Sequence, residues 1–332
     1  MSLISVPVID LEPYFRGTDS GKLEVAKMVD RACRNIGFLI VKNHQIQPEL
    51  IDRVMQLSRD FFQKPLAEKQ LCERQRPDQV RGYSAIAQES LSYSLDKVSP
   101  GDLKESFSIG PDSVPDDEYY SEEVSGPHFA KNIWPEGMDA FRDAYVEYFD
   151  EMSKLAGSLM RIFALALNLP ENFFDNKIDR HISMFRTLCY PHIKEDILPG
   201  QFRAGAHTDY GSLTIVKADS VVGGLQVKVE NGEWVDVPNI DDCLIVNIGD
   251  LMQDWTNGYW VSTLHRVINP SLEENKDTRR HSLVFFHQPN YDAVIECLPG
   301  CIGSGAKNKP ITSGEHLRSK FVKQTTFGGK VV

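Results

Sequence analysis

Cysteines are few in this sequence, and they follow no pattern typical of a disulfide framework or a zinc site. The six cysteines are scattered along 332 residues, without a Cys-x-x-Cys pair. In a reducing compartment such cysteines are most simply free thiols. A metal or redox pair formed by Cys297 and Cys301 is the less favoured alternative, because no second close pair is present to complete a zinc site.

Long apolar runs and clusters of positive charge are also missing. No run is long enough to span a bilayer, and residues 1–10 lack the charged and apolar regions of a secretory signal. Residues 328–332 carry no recognisable lipidation or retention signal. The net charge of −11, with Arg279-Arg280 as the only notable basic pair, argues against a nucleic-acid partner. We therefore expect a cytoplasmic protein that binds neither nucleic acid nor membrane, and the sequence is silent on its oligomeric state.

The composition is typical of a globular chain. Hydrophobic residues make up 41% of the sequence and aromatic residues 10%, which is enough to bury a sizeable core. A disordered chain would need far fewer apolar residues. The length suits one large domain or two small ones.

Helical patterns predominate in the first half of the chain. A first helix is predicted between Ser20, as its N-terminal cap, and Gly37, as its end. A second begins near Pro48, a residue that suits the first turn of a helix. A third, long helix is predicted from about residue 137 to residue 167, and its apolar stripe indicates core packing. Short strands are expected at residues 6–11, 38–41 and 104–109.

Short strands separated by turns predominate after residue 179. Asn231-Gly232 is a strong signal for a two-residue hairpin. The predicted strands cover residues 182–190, 211–217, 225–229, 234–237, 243–248, 260–268 and 282–287, and a late helix is expected near residues 315–324. Strands with turns about every eight to twelve residues favour a jelly roll, with the earlier helices packed outside one sheet. The expected fold class is therefore mixed α and β, with a jelly-roll core.

A His-x-Asp triplet at His207 and Asp209 is a candidate metal site. Alternate residues of a strand share a face, so both side chains can bind one ion. The third ligand must come from a facing strand, and His265 is the best candidate. Two imidazoles and one carboxylate on one face of an ion leave adjacent positions open, which is the arrangement of iron(II) oxygenases. A lone His-x-Asp is a weak signal, because about one such triplet is expected by chance.

Arg280 and Ser282 strengthen this interpretation. The two residues share one face of a predicted strand downstream of His265. A guanidinium fork and a hydroxyl together suit one carboxylate group. Taken alone, a surface salt bridge would be the simpler explanation of Arg280.

This set of residues resembles the iron(II)/2-oxoglutarate-dependent oxygenases of the isopenicillin N synthase-like family. The resemblance covers nearly the whole chain and includes, in order, residues 6–11, 37–44, 61–65, 223–227, 246–250 and 255–258. It implies a double-stranded β-helix (jelly-roll) core with N-terminal and flanking helices. It also divides the chain into an N-terminal α/β region at residues 1–125 and a second part at 126–332. That second part would contain the long helix, the core at about 177–293 and the C-terminal helix.

The resemblance also implies a role for each matching residue. His207, Asp209 and His265 would bind Fe(II), and Arg280 and Ser282 would hold the distal carboxylate of 2-oxoglutarate. Tyr190 matches a family tyrosine that contacts the same co-substrate. Many family members have an asparagine two residues before this tyrosine, whereas this chain has Leu188, so one polar contact is missing or replaced.

Substrate residues are harder to assign. If Tyr190 faces the pocket, strand alternation turns Leu188 and Arg186 the same way, and we hypothesise that Arg186 binds an acidic group of the substrate. An arginine lying on the rim of the barrel is the equally plain alternative. Further candidates for the cavity are Phe286, Trp255, Lys104 and Phe107.

The expected activity is that of a non-haem iron(II) dioxygenase. With O2 and 2-oxoglutarate as co-substrates, it would hydroxylate, desaturate or cyclise a small, acidic molecule of specialised metabolism, with release of succinate and CO2. A second hypothesis keeps the iron but not 2-oxoglutarate, as in isopenicillin N synthase itself, whose Arg-x-Ser pair binds a substrate carboxylate. A third, a metal-free binding or scaffold protein, is less favoured because all three ligands are present.

Overall fold

The structure is a computed structural model of the chain. It describes residues 5–76, 78–92, 99–192, 197–219, 224–270, 277–301, 303, 305–327 and 330–331, with side chains as far as residue 321. Residues 1–4, Gly223, Gly328, Gly329 and Val332, which entered the sequence analysis, lie outside this set.

The helices lie mostly in the first half of the chain, as predicted. They are α1 (Glu12–Phe15), α2 (Asp19–Asn35), α3 (Pro48–Phe62), α4 (Leu66–Gln70), α5 (Glu122–Ser125), α6 (Asp139–Ala166), α7 (Asp175–Ile178), α8 (Asp250–Trp255) and α9 (Ser313–Thr325). The predicted long helices correspond to α2, α3 and α6, and the late helix to α9. The cap predicted at Ser20 is wrong: the Thr18 hydroxyl accepts the Gly21 N–H at 3.2 Å, because the chain already turns at Gly17 (φ +77°).

Helix α6 organises the main hydrophobic core. Its apolar stripe includes Phe141, Tyr145 and Phe163, all fully buried. Helices α2 and α3 pack against it on one side, and strands of the larger sheet lie on the other. This confirms that the stripe packs a core.

The strands form two principal sheets. They are β1 (Val8–Asp10), β2 (Phe38–Lys42), β3 (Gly82–Ser84), β4 (Glu105–Ile109), β5 (Met184–Tyr190), β6 (Ala204–His207), β7 (Leu213–Ala218), β8 (Leu225–Lys228), β9 (Trp234–Asp236), β10 (Leu244–Ile248), β11 (His265–Val267), β12 (Arg280–His287), β13 (Val294–Ile295), β14 (Ile311–Thr312), β15 (Thr326–Phe327) and β16 (Lys330–Val331). The larger sheet has the order β1-β2-β10-β7-β12-β5-β4-β3, and the smaller has the order β6-β11-β8-β9. Strands β13 and β14 pair with each other, as do β15 and β16.

The core of the fold is the predicted double-stranded β-helix. Strands β5, β12, β7 and β10 supply one antiparallel layer, and β6, β11, β8 and β9 supply the other. The N-terminal strands β1 to β4 extend the larger layer at both edges, so the sheet is continuous across residue 125. This arrangement brings β4 alongside β5, which positions N-terminal side chains at the mouth of the barrel.

Two local predictions need correction. The strand expected at residues 260–268 is limited to β11, because Trp260 is fully buried against Phe163 and belongs to the turn that follows α8. Asp209 does not lie in a strand: β6 ends at His207, and the chain then bends towards β7. Among the described residues, no helix combines the length and the apolar character needed to cross a membrane.

Candidate functional site

A cavity of about 290 Å³ opens between the two layers of the β-helix. Its inner end is lined by strand residues of both sheets, including Leu188, Val216, Leu225, Val267 and Val284. Its outer end is lined by segments from outside the barrel, including part of α9. Most of this lining is apolar, with a small number of polar groups, which is typical of a small-molecule site.

His207, Asp209 and His265 converge in this cavity. One nitrogen or oxygen atom from each residue lies within 4.8 Å of the other two, and all three residues are buried. The Nε2 atoms of His207 and His265 lie 3.9 and 3.7 Å from Asp209 Oδ1. The histidines face each other because β6 and β11 pair with His207 directly opposite His265.

Hydrogen bonds orient each of these three side chains. Nδ1 of His207 lies 2.7 Å from the Gly205 carbonyl oxygen, and Nδ1 of His265 lies 3.1 Å from that of Thr263, so both Nε2 atoms turn inward. Asn247 Nδ2 donates to Asp209 Oδ2 at 2.7 Å, which leaves Oδ1 directed at the histidines. Such outer partners fix the tautomer and direction of metal ligands.

The protonation states at this cluster also fit a metal. Burial lowers the pKa of His207 to about 3, and the neighbouring His265 adds to the effect. Burial alone would raise the pKa of Asp209, but His265, His207 and Asn247 hold it below its usual value. At neutral pH the cluster therefore offers a neutral imidazole and a carboxylate, the forms that bind a metal. Two imidazoles and a carboxylate on one side of an ion are the donor set of non-haem Fe(II).

Arg280, Ser282 and Tyr190 lie together at the inner end of the cavity. Arg280 and Ser282 share a face of β12, and Arg280 Nη1 donates to Ser282 Oγ at 2.7 Å. Tyr190 is the register partner of Arg280 on β5, and the guanidinium lies 5.2 Å from the centre of its ring. No carboxylate of the described residues lies within ion-pair distance of Arg280, although its side chain is buried. The group therefore fits the far carboxylate of a dicarboxylate ligand.

The outer end of the cavity holds a second group of charged side chains. Arg186 lines the cavity, but its Nη1 donates to Glu89 at 3.1 Å and its Nε to Ser108 at 2.9 Å. Glu89 also accepts a hydrogen bond from Arg74 at 3.0 Å. Burial alone would raise the pKa of Glu89, but Arg186, Lys104 and Arg74 hold it at about 2. The positive charge of Arg186 is thus already offset, so the structure does not favour it as the group that neutralises an acidic substrate.

The other predicted substrate residues divide into two sets. Leu188, Phe286 and Lys104 line the cavity, and Lys104 forms an ion pair with Asp102 at 2.7 Å. Phe107 and Trp255 do not: both are buried in the main core, Phe107 against Phe61 and Trp255 against Phe174. Their assignment to the cavity is wrong. Phe107 lies three positions after Lys104, so strand alternation turns it to the opposite face, and Trp255 faces inward from α8.

Several residues of the site were missed in the sequence. Asn247 lies in a segment that resembles the family, but nothing in its own pattern indicated contact with Asp209. Glu89, Arg81 and His128 lie in the turn-rich stretch before α6, where periodicity is absent. Arg318 lies on α9, whose position over the cavity is a tertiary feature. Of these residues, only Asn247 had a sequence signal, namely its position in a segment that resembles the family.

Comparisons with known proteins agree with this geometry. Residues 6–137 match the family model for the N-terminal region of non-haem dioxygenases in morphine synthesis, and residues 181–289 match that of the 2OG-Fe(II) oxygenase superfamily. The 2-oxoglutarate-Fe(II) type oxidoreductase hxnY of Emericella nidulans is 33% identical over 97% of this chain and 90% of its own length. Homoarginine-6-hydroxylase 2-ODD-C23.1 of Arabidopsis thaliana is 32% identical over 97% of this chain and 98% of its own.

Solved structures give the same result. A full-length Neurospora crassa protein, crystallised in complex with alpha-KG (2-oxoglutarate), superposes with a TM-score of 0.83 and 34% identity, over 96% of each chain. A further structure of that protein holds both alpha-KG and thymine, at a TM-score of 0.83. The predicted family and jelly-roll fold are confirmed. The chain belongs to the 2OG-Fe(II) oxygenase superfamily and is an iron(II)- and 2-oxoglutarate-dependent dioxygenase that acts on a small molecule.

Proposed function

We propose that His207, Asp209 and His265 hold the Fe(II) of this dioxygenase. The convergence of one ligand atom from each residue within 4.8 Å, in a buried cavity, is the observation that carries this assignment. The Nδ1 contacts of both histidines and the Asn247 contact to Asp209 support it, because they direct all three ligand atoms to one point.

We further propose that Arg280 and Ser282 bind the distal carboxylate of 2-oxoglutarate, with Tyr190 beside it. The buried guanidinium, which has no carboxylate of the described chain within ion-pair distance, supports this assignment. Leu188 is the register partner of Ser282 and replaces the asparagine of many relatives, so this wall of the co-substrate site is apolar. Arg280 and Ser282 must then supply most of the polar recognition.

The bound iron and 2-oxoglutarate supply the oxidising chemistry: 2-oxoglutarate and O2 are converted to succinate and CO2 as one oxygen atom is delivered to the substrate. The protein orients the substrate and excludes water. An apolar wall around the inner end of the cavity, formed by Val216, Leu225, Val267 and Val284, would help to exclude water. At the outer end Arg186, fixed by Glu89 and Ser108, is positioned to donate a hydrogen bond to the substrate.

Hydroxylation of a small organic molecule is the reaction that we favour. The cavity of about 290 Å³ has room for a compact ligand beside the co-substrate. Relatives act on or bind compact molecules: one is named homoarginine-6-hydroxylase, and the similar Neurospora crassa protein binds thymine. An iron oxidase that works without 2-oxoglutarate is not favoured, because the structure of that Neurospora crassa protein holds alpha-KG.

An anaerobic titration of the Fe(II)-loaded protein with 2-oxoglutarate tests these assignments. We expect a weak visible charge-transfer band that saturates. Arg280→Ala should weaken 2-oxoglutarate binding by about 10- to 100-fold, because a buried charged hydrogen-bond partner is lost. Arg279→Ala is the matched control: this neighbour is exposed and paired with Asp277, so its loss should leave the titration unchanged.

The outcomes separate the two parts of the proposal. Absence of the band in protein that contains iron would contradict the co-substrate assignment. Normal iron content in Asp209→Ala protein would contradict the metal assignment. Equal effects of Arg279→Ala and Arg280→Ala would show that the response is to general charge and not to a specific anchor.

A further inference from the structure

The cavity is more positive than the rest of the molecule. The chain as a whole has a net charge of −11, so an excess of cations around one cavity requires an explanation. The charged residues in the lining are Arg81, Lys104, Arg186, Arg280 and Arg318 as cations, and Asp78 and Asp209 as anions. Excess positive charge in a concave site with apolar walls attracts an anionic ligand.

Most of these charges already have a counterpart. Lys104 pairs with Asp102, and Arg186 pairs with Glu89. Asp78 is held by Arg76, whose Nε and Nη2 donate to its two carboxylate oxygens at 3.0 and 2.7 Å. The proposed function assigns Asp209 to iron and Arg280 to 2-oxoglutarate. Within the described chain, two cations at the outer end, Arg81 and Arg318, remain without an ion-pair partner.

Arg81 is a buried cation whose hydrogen bonds, among the described residues, go to backbone carbonyls. Its guanidinium donates to the carbonyl oxygens of Val80 and His128, each at 2.8 Å, and of Ala130 at 3.2 Å. The residue is 6% exposed, and burial lowers its pKa to about 10. These three bonds fix the side chain but use only part of its five N–H groups. Buried charges are normally paired, so this guanidinium has unused capacity for an anion.

Arg318 approaches the same place from α9. It is exposed, lines the cavity and has no hydrogen bond or ion pair within the part of the chain that the structure describes. Both guanidiniums act on His128: burial lowers the pKa of this imidazole to about 4, and Arg81 and Arg318 add to the shift. The contacts place both arginines beside His128. Arg81 Nη2 donates to the His128 carbonyl oxygen at 2.8 Å, and Gly314, four positions before Arg318 on α9, packs so closely on the His128 ring that a Cβ there would lie 3.0 Å from Nε2. All three side chains line the same end of the cavity.

We propose that the substrate carries a carboxylate, bound between Arg81 and Arg318 at the outer end of the cavity. This inference rests on the proposed function, since it needs the inner end to be occupied by 2-oxoglutarate. The fixed fork of Arg81 suits a carboxylate, and Arg318 closes over it from α9. The group that neutralises the substrate is thus this pair and not Arg186.

Direct binding measured by calorimetry tests the proposal without turnover. The full chain is loaded anaerobically with Fe(II) and 2-oxoglutarate. The probes are aliphatic and aromatic monocarboxylic acids, each compared with its own primary amide. We expect acids that fit to bind at least about tenfold more tightly than their amides, because a charged hydrogen bond to a buried arginine is lost in the amide. If no acid binds more tightly than its amide, the proposal is wrong.

Variants identify the residues responsible. Arg318→Gln should reduce the acid-to-amide preference by about fivefold, as expected for one exposed ion pair, and Arg318→Glu should reduce it further. Arg81→Gln should abolish the preference, but it also removes hydrogen bonds to three backbone carbonyls, so its folding must be checked by urea denaturation. The exposed Arg318 substitutions avoid this complication. Arg31→Gln, an exposed arginine on α2 outside the cavity, is the matched control.

The 2-oxoglutarate charge-transfer band is recorded in every sample. Its absence would indicate failure of the proposed function and not of this inference. A normal band together with an acid preference that survives both Arg318 substitutions would overturn the role of Arg318. If Arg81 only holds backbone carbonyls, folded Arg81→Gln protein with a normal band would keep the acid preference, and this result would overturn the role of Arg81.

Discussion

At the inner end of the cavity, nearly every proposed ligand comes from a strand of the β-helix. His207, His265, Arg280, Ser282 and Tyr190 all have fixed register partners across the sheets. At the outer end the polar side chains come from different sources: turns before α6, the β4–β5 edge and α9. They are held by ion pairs such as Arg186–Glu89.

We expect the inner end to be common to the family and the outer end to be particular to this chain. Backbone hydrogen bonds of a sheet fix positions closely, which suits iron and a co-substrate that do not vary. Loops and terminal helices tolerate change, so a different substrate can be accommodated there without disturbing the sheets. Substitutions at the inner end should therefore reduce iron binding and activity. Substitutions at the outer end should instead reduce stability.

The largest expected effect is loss of a proposed metal ligand at the inner end. Asp209→Ala should lower succinate release by more than about 100-fold, beyond the 10- to 100-fold that is typical of residues that only orient ligands. Iron content and succinate release are the measurements. Asp241→Ala, an exposed carboxylate in the loop before β10, should change neither quantity.

Next in size is a substitution at the outer end that affects folding. Glu89→Gln leaves Arg186 and Arg74 facing each other without their shared anion, and it should lower the free energy of unfolding by about 3 kcal/mol. Urea denaturation measures this change. Glu151→Gln breaks an exposed pair with Lys154 and should have little effect. Similar losses in both variants would contradict the idea that the Glu89 cluster supports this end of the cavity.

A smaller effect is expected from Asn247→Leu, which leaves the three proposed iron ligands in place. Asp209 Oδ2 then loses its hydrogen-bond donor, so iron affinity should fall by about 10- to 100-fold. Competition with a chelator measures that affinity. Asn231→Leu, in the exposed hairpin between β8 and β9, serves as the control. An unchanged affinity would mean that Asp209 is oriented without Asn247.

The smallest effect is a pH dependence of the free energy of unfolding, caused by Glu89 at the outer end of the cavity. The folded-state pKa of Glu89 is about 2, below its ordinary value of 4.5. The ionised carboxylate therefore stabilises the fold fully at a pH above 4.5, and this stabilisation is lost as the pH falls towards 2. The stability difference between the wild type and Glu89→Gln should shrink by about 1 kcal/mol between about pH 5.5 and about pH 3.5. Denaturation curves of both proteins at the two pH values measure it. A constant difference would show that folding does not shift the pKa of Glu89, and a difference that grows as the pH falls would show that the carboxyl is protonated in the fold.

Candidate residues at the inner end could be identified from the sequence because each motif that contains them spans only a few neighbouring residues. His-x-Asp and Arg-x-Ser each span three residues, and strand alternation places Arg280 and Ser282 on one face. Helices α2, α3 and α6 were equally accessible, since each has a continuous apolar stripe. The jelly roll followed from the number and spacing of short strands.

The outer end could not be predicted in the same way. Glu89 and Arg81 lie where no periodicity exists, and their contacts join residues far apart in the chain. Phe107 is a different case: it lies three positions after Lys104, so strand alternation already argues against placing both side chains on the cavity. Trp255 shows the limit of prediction for a short helix: its sequence does not say which face meets the core.

The pairing of His207 with His265 has a practical consequence for preparations of this protein. The two histidines face each other only in one alignment of β6 and β11, and this alignment passes a local irregularity between His265 and Val267. A slip of one residue would turn His265 to the opposite side of its strand. On the proposed metal assignment, the fraction of purified chains that take up iron counts the molecules in which β6 and β11 are correctly paired, so metal analysis would serve as a quality test of folding.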